Sequence, residues 1–187
     1  TLHAFRCIPE GEVRAIVQLS HGMVEFIDRY KPLAEDLAGR GILVTGHDHL
    51  GHGASIRTKD DYGYFAQPDG NRAVLDDLHA MTTLTKQLYP GVPYFLLGHS
   101  MGSFYARQYL CEYGAELDGA ILMGTGYQPK ALVTLARTVC RVLAVFFGWQ
   151  HRSKLVRDLS FLGYNKGLEG RTPHDWLNRD PAEVDKY

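Results

Sequence analysis

Positions 98–102 read GHSMG and place Ser100 between two glycines, a spacing that suits a serine nucleophile. The motif comes directly after the apolar run 94–97 and directly before the helical pattern 101–113. A serine on such a tight turn exposes its hydroxyl, and the flanking glycines leave room for the turn. The first N–H groups of the following helix can stabilise negative charge that develops on a substrate oxygen. The pattern therefore predicts acyl transfer through Ser100.

A second turn whose residues could take part in the reaction follows the apolar run 15–19, where the chain reads Ser-His-Gly-Met. Met23, directly after the His-Gly pair, is expected to donate its backbone N–H to an oxyanion, and Met101 is expected to be the other donor. His21 is interpreted as a structural residue of the turn, because a proton carrier must lie within reach of the serine. The residues expected to shape the two turns are His21, Gly22, Gly98, His99 and Gly102.

Three closely spaced histidines, His47, His49 and His52, suggest a metal site at first sight. They lie in a glycine-containing turn, and no carboxylate-histidine pair at helical spacing joins them. A role in turn structure is therefore favoured, and no metal is predicted. The chemistry expected of Ser100 requires no organic cofactor.

Four apolar runs are predicted to be strands that must position these residues: 15–19, 42–45, 94–97 and 119–123. They are apolar throughout rather than alternating, which is typical of strands covered on both faces in a parallel sheet. Between them lie helical patterns at 30–40, 73–89 and 101–113. The alternation predicts an α/β fold with a mostly parallel sheet and helices on both faces. Residues 1–126 are expected to form this core.

After residue 126 the pattern changes, and residues 127–187 are expected to form a helical cap or lid. The segment 131–149 is amphipathic and strongly apolar. Two roles stay open for its apolar side chains: they line an acyl-chain pocket or rest transiently on a membrane surface, or they pack the cap against the sheet. No strand is evident in this part of the sequence.

The composition is that of a soluble globular protein and excludes several classes of partner. The 187 residues carry a formal net charge of −1 with scattered Lys and Arg, so no nucleic-acid surface is expected. Arg137 and Arg141 interrupt the longest apolar stretch, which argues against a membrane span. The N-terminus has no signal-peptide pattern, and three cysteines cannot all pair within the chain. A cytoplasmic location is therefore expected.

Three segments together resemble the monoacylglycerol lipase and lysophospholipase group of α/β hydrolases, also described as serine aminopeptidase S33 type. They are HGMVEFIDRY at 21–30, GHDHLGHGAS at 46–55 and GHSMGS at 98–103. The resemblance covers nearly the whole chain in order and spacing. It implies the α/β-hydrolase fold, with Ser100 as nucleophile and the Met23 and Met101 amides as oxyanion donors.

The resemblance also implies that Glu25 and Arg29 brace a loop near the site, and that the substrate is a small lipid-like carboxylic ester. Phe26 stands where the family usually has His, and Leu50 where it usually has Arg, which weakens inference about the substrate. The motif GHSMG differs from the GGSWG of prolyl aminopeptidases, so ester substrates are favoured over peptides. A thioesterase or aminopeptidase of the same fold is the alternative enzyme.

The general base of the expected Ser-acid-His triad is hard to place. Downstream of Ser100 only His151 and His174 are available, and no apolar strand precedes either. The simplest interpretation is that the acid and base lie beyond Tyr187, since a complete member would be roughly a hundred residues longer. Asp158 with His174 is the fallback pair. The missing base also leaves open a non-catalytic binding protein or fragment of this fold.

Overall fold

Five strands form one sheet in the computed structural model, which describes residues 1–168 and 170–185. They are β1 (Ala4–Cys7), β2 (Ala15–Ser20), β3 (Ile42–His47), β4 (Tyr94–His99) and β5 (Gly119–Met123). The order across the sheet is β1-β3-β2-β4-β5, and only the β1 pair is antiparallel. The four strands predicted from apolar runs are confirmed. The sequence analysis missed β1, a short edge strand that alternates exposed and half-buried residues.

The described residues form six α-helices: α1 (Lys31–Ala38), α2 (Gly70–Leu88), α3 (Met101–Tyr113), α4 (Lys130–Phe147), α5 (Lys154–Ser160) and α6 (Pro181–Asp185). The bounds predicted for α3 are those observed. The predicted helix 30–40 is observed as α1, which is three residues shorter and follows a 3-10 turn, Ile27–Tyr30. Helix α2 begins three residues earlier than predicted, because the Asp69 side chain accepts the Arg72 N–H at 3.0 Å and caps it.

Helices cover both faces of the sheet, as the sequence predicted. On one face Ala34 of α1 packs against Val17 and Val44 of the central strands. On the other face residues of α2 and α3, including Leu78 and Tyr109, pack around Leu96 of β4. The central strands are therefore buried on both sides, which explains why their sequences are apolar throughout.

One polar side chain in this core, Gln18 of β2, is fully buried and forms hydrogen bonds through both ends of its amide group. Its amide nitrogen donates to the Leu78 carbonyl at 3.0 Å. Its amide oxygen accepts from the Thr82 hydroxyl at 2.9 Å and the Tyr94 hydroxyl at 2.5 Å. Because a buried polar group is costly without partners, these bonds fix α2 against the two central strands in one register.

The register of the parallel strands brings their carboxyl ends to one edge of the sheet. Ser20, the last residue of β2, pairs with Gly98 near the end of β4, and His99 pairs with Met123. The turns that follow β2 and β4 therefore emerge side by side. This is the edge at which open α/β sheets place their ligands.

Contacts divide the chain into two compact units, residues 1–133 and 134–187. The sheet and its covering helices belong to the first unit. The second contains most of α4 together with α5 and α6, and no strand follows β5 within the described residues. The function of residues 127–187 as a cap stays a prediction. None of the helices among the described residues is long and apolar enough to cross a bilayer.

Candidate active site

Ser100 occupies a strained turn between β4 and α3, with φ at 50° and ψ at −117°. A non-glycine residue in this region costs on the order of 1–3 kcal/mol and persists only where surrounding contacts enforce it. Here the Ser100 N–H donates to the Met123 carbonyl of β5 at 2.9 Å, and the Ser103 hydroxyl donates to the Ser100 carbonyl at 2.6 Å. The geometry is that of a nucleophile elbow, which holds a side chain outward at the end of a strand.

The two glycines of the elbow lie where a side chain would collide with backbone. A Cβ at position 98 would be 2.5 Å from the Gly102 carbonyl oxygen and 2.8 Å from the Ala106 Cβ. A Cβ at position 102 would be 1.9 Å from the Ser20 carbonyl oxygen. The glycines therefore let the start of α3 approach both its own strand and the end of β2.

The turn after β2 lies directly against the serine. A Cβ at position 22 would be 3.2 Å from the Ser100 Cβ, so the backbone of the His-Gly pair forms a wall of the site. Neither the Met23 N–H nor the Met101 N–H donates a hydrogen bond to an acceptor among the described residues. Both amides, which the sequence analysis selected as oxyanion donors, are thus free to donate to a ligand.

The Glu25 carboxylate connects this turn to the elbow. Its Oε1 accepts the Gly22 N–H, the Tyr30 hydroxyl at 2.8 Å and the His99 Nδ1–H at 2.9 Å. Burial alone would raise the pKa of Glu25, but the hydrogen bonds from His99, Gly22 and Tyr30 hold it below its usual value. Arg29 lies 3.7 Å from the other carboxylate oxygen. Glu25 and Arg29 thus make bracing contacts of the kind the resemblance implied, and Tyr30 and His99 are added to them.

His21 is buried with both ring nitrogens engaged. Its Nε2 accepts the His49 backbone N–H at 2.9 Å, which leaves Nδ1 to donate to the Gly22 carbonyl at 2.8 Å. Burial lowers the pKa of His21 below its usual value, which favours the neutral ring. With both nitrogens hydrogen-bonded, the ring has no free site for the serine proton, and a structural role for His21 stays the prediction.

The three clustered histidines are packed beneath this turn. Burial lowers the pKa of His47 to about 4 and the pKa values of His49 and His52 below their usual range. His49 Nε2 lies 3.1 Å from the Ser20 hydroxyl, and its ring is 4.3 Å from that of His21. Within the described part of the chain, no three His, Cys, Asp or Glu side chains form a group suited to a metal ion. Neutral buried rings fit a packing role.

Asp48, between two of these histidines, is a site-forming residue that the sequence analysis passed over. Its carboxylate is buried and accepts the Ile27 N–H at 2.6 Å and the Ala54 N–H at 2.7 Å. These bonds join the loop after β3 to the end of the loop after β2. The available signal was the position of the aspartate directly after a buried strand, a common place for a carboxylate that binds loop amides.

No general base for Ser100 is found in the first unit. Within residues 1–133 the Ser100 hydroxyl has no hydrogen-bonding partner. Asp118 accepts the Tyr94 N–H at 2.7 Å and therefore serves the sheet. Asp158 binds the neighbouring Arg157 guanidinium at 2.7 Å in the second unit, to which His174 also belongs. The fallback pair of Asp158 and His174 stays a prediction.

Comparison with known proteins supports the assignment that the geometry suggests. A family model described as serine aminopeptidase, S33, matches residues 11–187. The human monoglyceride lipase is 36% identical over 182 residues, which are 92% of this chain and 54% of that relative. A monoglyceride lipase homolog of Monkeypox virus is 42% identical over 113 residues, or 59% of this chain and 38% of the relative.

A solved structure gives the same answer for the fold. The thermostable carboxyl esterase from Bacillus coagulans superposes with a TM-score of 0.88 at 30% identity, over 98% of this chain and 59% of the esterase. The chain spans about half the length of the mammalian relatives it matches. From the strand order, the strained elbow and these likenesses, the chain belongs to the serine aminopeptidase S33 family of α/β hydrolases, within its monoacylglycerol lipase group.

Proposed function

We propose that this protein is a serine hydrolase that cleaves carboxylic esters of lipid-like substrates through an acyl-enzyme on Ser100. One observation carries the proposal. The strained elbow holds Ser100 against the backbone of Gly22, and the amides of Met23 and Met101, the residues that follow Gly22 and Ser100, have no acceptor among the described residues. A nucleophile next to two free backbone donors is the arrangement that acyl transfer requires.

In this mechanism the Ser100 oxygen attacks the ester carbonyl while its proton passes to a histidine base. The negative charge on the carbonyl oxygen is stabilised by the N–H groups of Met23 and Met101, each worth about 3 kcal/mol of barrier. Collapse of the intermediate expels the alcohol, which takes the proton from the base. Water then attacks the acyl-enzyme by the same route and releases the acid. Neither step calls for a metal or an organic cofactor.

Glu25 positions the first of these donors. Because its carboxylate binds the Gly22 N–H directly and His99 on the elbow, it fixes the distance between the two turns. A buried carboxylate whose pKa is held low stays charged at neutral pH and keeps these bonds. The donors are thus preorganised before a substrate arrives, which is the source of their effect on the barrier.

We assign the acid and the base of the triad to a segment that follows Tyr187. The relatives are about twice as long as this chain, which leaves room for such a segment. Strand β5 supports the assignment, because it pairs only with β4 among the described residues and its apolar side chains Ile121, Leu122 and Met123 are exposed. A further parallel strand on this edge would cover them and would end beside Ser100.

The substrate class follows from the relatives and from the elbow. Monoglyceride lipases and a probable lysophospholipase are among the relatives, and their names point to small lipid esters. Thioester and peptide substrates are the alternatives within the same fold. A non-catalytic binding protein is the candidate of another class, motivated by the missing base in the first unit. We expect no nucleic-acid partner.

The cap and the location complete the proposal. Residues 127–187 act as a lid whose apolar helix lines the acyl-chain pocket and contacts membrane surfaces transiently. The three cysteines are free, which is consistent with the proposed location in the cytoplasm.

A fluorophosphonate probe, which bonds to activated serine hydroxyls, tests the proposal on protein produced from its whole reading frame. We expect the wild type to label and the Ser100→Ala variant to lose labelling, with ester turnover reduced about a millionfold. Ser160→Ala, which removes an exposed hydroxyl of α5, is the matched control and should label normally. A panel of monoacylglycerol, lysophospholipid, thioester and aminoacyl amide substrates then separates the acyl groups.

The intact mass of the same protein distinguishes the outcomes. A mass above that of the 187 residues, with labelling confined to Ser100, places the base downstream and supports the esterase. A mass equal to that of these residues without labelling contradicts the proposal and favours the binding protein. Labelling that persists in Ser100→Ala would assign the nucleophile to another residue.

A further inference from the structure

The turn after β2 exposes three large apolar side chains beside the nucleophile. Met23, Val24 and Phe26 are 44%, 64% and 49% exposed. They follow Gly22, where a Cβ would be 3.2 Å from the Ser100 Cβ. Single exposed apolar side chains are common on protein surfaces, whereas three within four residues form a patch that water solvates poorly. Such a patch at the edge of an active site is typical of a surface that binds a ligand.

The residues between and after these side chains attach the turn to the protein. Glu25 is buried, and its carboxylate accepts the Gly22 N–H. Ile27 is fully buried in the core and donates its backbone N–H to the Asp48 carboxylate at 2.6 Å. The turn therefore directs its anchoring side chains inward and leaves the three apolar side chains outside. The patch is thus present before a substrate arrives.

Val24 adopts a backbone conformation that its side chain disfavours. Its φ is 59°, in the left-handed region, where a β-branched residue is an outlier. Glycine or asparagine would adopt this conformation at lower cost. The Val24 side chain is mostly exposed, so burial within the described chain does not offset the cost. Strain of this kind is concentrated at functional sites, where contact with a ligand can account for it.

The acidic groups of the same turn already bind other parts of the protein. The Glu25 carboxylate accepts the Tyr30 hydroxyl at 2.8 Å and the His99 Nδ1–H at 2.9 Å. The Asp28 carboxylate binds the Lys31 ammonium group at 2.9 Å. The turn therefore presents mainly hydrocarbon to a substrate. A surface of this kind suits an apolar group better than a polyol, whose hydroxyls would lose their hydrogen bonds to water there.

We propose that Met23, Val24 and Phe26 form a subsite that binds hydrocarbon of the ester next to the reacting carbonyl. The Met23 N–H donates to the carbonyl oxygen in the proposed mechanism, and consecutive Cα atoms are about 3.8 Å apart. The side chains of the turn thus begin close to the reacting centre. The inference rests on the proposed ester hydrolysis and names residues that select its substrate. Esters with apolar groups beside the carbonyl are preferred over esters of a polyol.

Two isomeric esters separate the two sources of that hydrocarbon. Ethyl hexanoate carries it in the acyl group and hexyl acetate carries it in the alcohol, while ethyl acetate is the reference that lacks it. With protein produced from its whole reading frame, we expect kcat/KM to rise about fourfold for each methylene that the subsite covers, in at least one isomer. Glycerol monoacetate, which has a polyol alcohol, should be no better a substrate than ethyl acetate.

Variants then locate the preference in the turn. The measured quantity is the ratio of kcat/KM for the preferred isomer to kcat/KM for ethyl acetate. This ratio should fall at least about tenfold in the double variant Val24→Asn with Phe26→Ser, in which asparagine tolerates the positive φ. A variant that only displaced the Met23 N–H would slow both esters equally and leave the ratio unchanged. The ratio therefore separates substrate binding from a structural role.

Three further variants serve as controls. Phe26→Leu keeps an apolar side chain and should retain most of the ratio. Val24→Gly relieves the strain and should unfold at no lower urea concentration than the wild type, yet its ratio should fall. Ile8→Ser removes a 52% exposed apolar side chain just after β1, at the opposite edge of the sheet from Ser100, and should leave the ratio unchanged.

The outcomes distinguish this inference from the proposed function. A fall confined to ethyl hexanoate assigns the subsite to the acyl chain, and a fall confined to hexyl acetate assigns it to the alcohol; both support the subsite. Ester turnover with an unchanged ratio in the double variant overturns the subsite alone, as does a wild-type preference for glycerol monoacetate over both isomers. If the wild type hydrolyses none of the esters and Ser100 does not label, the proposed function fails and the subsite fails with it.

Discussion

The two units of this chain are built on different principles. In residues 1–133 the strands and helices enclose side chains such as Leu19, Leu78 and Leu96, which are essentially inaccessible to solvent. In residues 134–187 only one described apolar side chain, Val184, is buried. The first unit is thus held together by its own core, whereas the second consists of helices whose apolar side chains remain exposed.

The difference separates residues that fix the catalytic geometry from residues available to bind. The elbow and the turn after β2 are held by hydrogen bonds that Glu25, Asp48 and His21 accept within the first unit. Helix α4 has few such constraints on its apolar face. We expect substitutions in the first unit to be costly to stability and those in the second to act mainly on binding.

The largest effect is expected at the closest approach in the first unit. Gly102→Ala would place a Cβ 1.9 Å from the Ser20 carbonyl oxygen, so α3 and β2 must separate. We expect the free energy of unfolding to fall by about 4 kcal/mol or more, measured by urea denaturation. Gly114→Ala is the matched control, since its φ is −58° and its nearest neighbour outside the local backbone is Leu110 Cδ2 at 3.7 Å.

Gly114→Ala should leave stability within about 1 kcal/mol or raise it slightly. If Gly102→Ala unfolds at the same urea concentration as the wild type, the tight junction between the elbow and β2 is not as described. The close packing of the start of α3 against the end of β2 would then be contradicted.

The same leucine substitution made in both units tests the comparison directly. Leu96→Ala removes a fully buried side chain from the core around β4 and should cost about 3 kcal/mol. Leu159→Ala, in α5, removes a side chain that is mostly exposed and should cost less than about 0.5 kcal/mol. Equal losses in urea denaturation would show that the second unit has a core of its own.

The buried histidines predict a smaller, pH-dependent loss confined to the first unit. Burial lowers the pKa of His47 to about 4, whereas the unfolded ring titrates near 6.5. Between these values the unfolded chain binds more protons. Stability is therefore complete above about pH 6.5 and is lost as the pH falls towards 4. From pH 7 to pH 5 this ring alone should cost about 2 kcal/mol.

His47→Leu separates this effect from other acid-sensitive groups. Neither ring nitrogen of His47 has a hydrogen-bonding partner among the described residues, so an apolar side chain should be tolerated at pH 7. Urea denaturation at a series of pH values should show a shallower acid loss in the variant. If the free energy of unfolding falls with pH equally in the variant and the wild type, the acid sensitivity belongs to other groups such as His49 or Glu25.

Much of the fold could be predicted from local patterns because the decisive residues are close in sequence. The apolar run 94–97, the motif at 98–102 and the helical pattern 101–113 predicted β4, the elbow and α3 in order. Strand β1 was not predicted because its sequence, AFRC, is short and half exposed. Its strand conformation depends on pairing with β3, about 40 residues away in the sequence. The individual bounds of helices α5 and α6 were not predicted, because few of their residues are buried and their sequences therefore lack an apolar periodicity.

By itself the sequence determined the α/β alternation, the elbow at Ser100 and the turn at His21, since each depends on local backbone preferences and hydrophobic periodicity. Only the tertiary structure decided that Glu25 binds His99 across 74 residues and that Asp48 anchors two loops. Hydrogen bonds of this kind join residues that are far apart in the sequence and meet only when the sheet has formed. Local sequence patterns do not show which of these residues come within hydrogen-bonding distance.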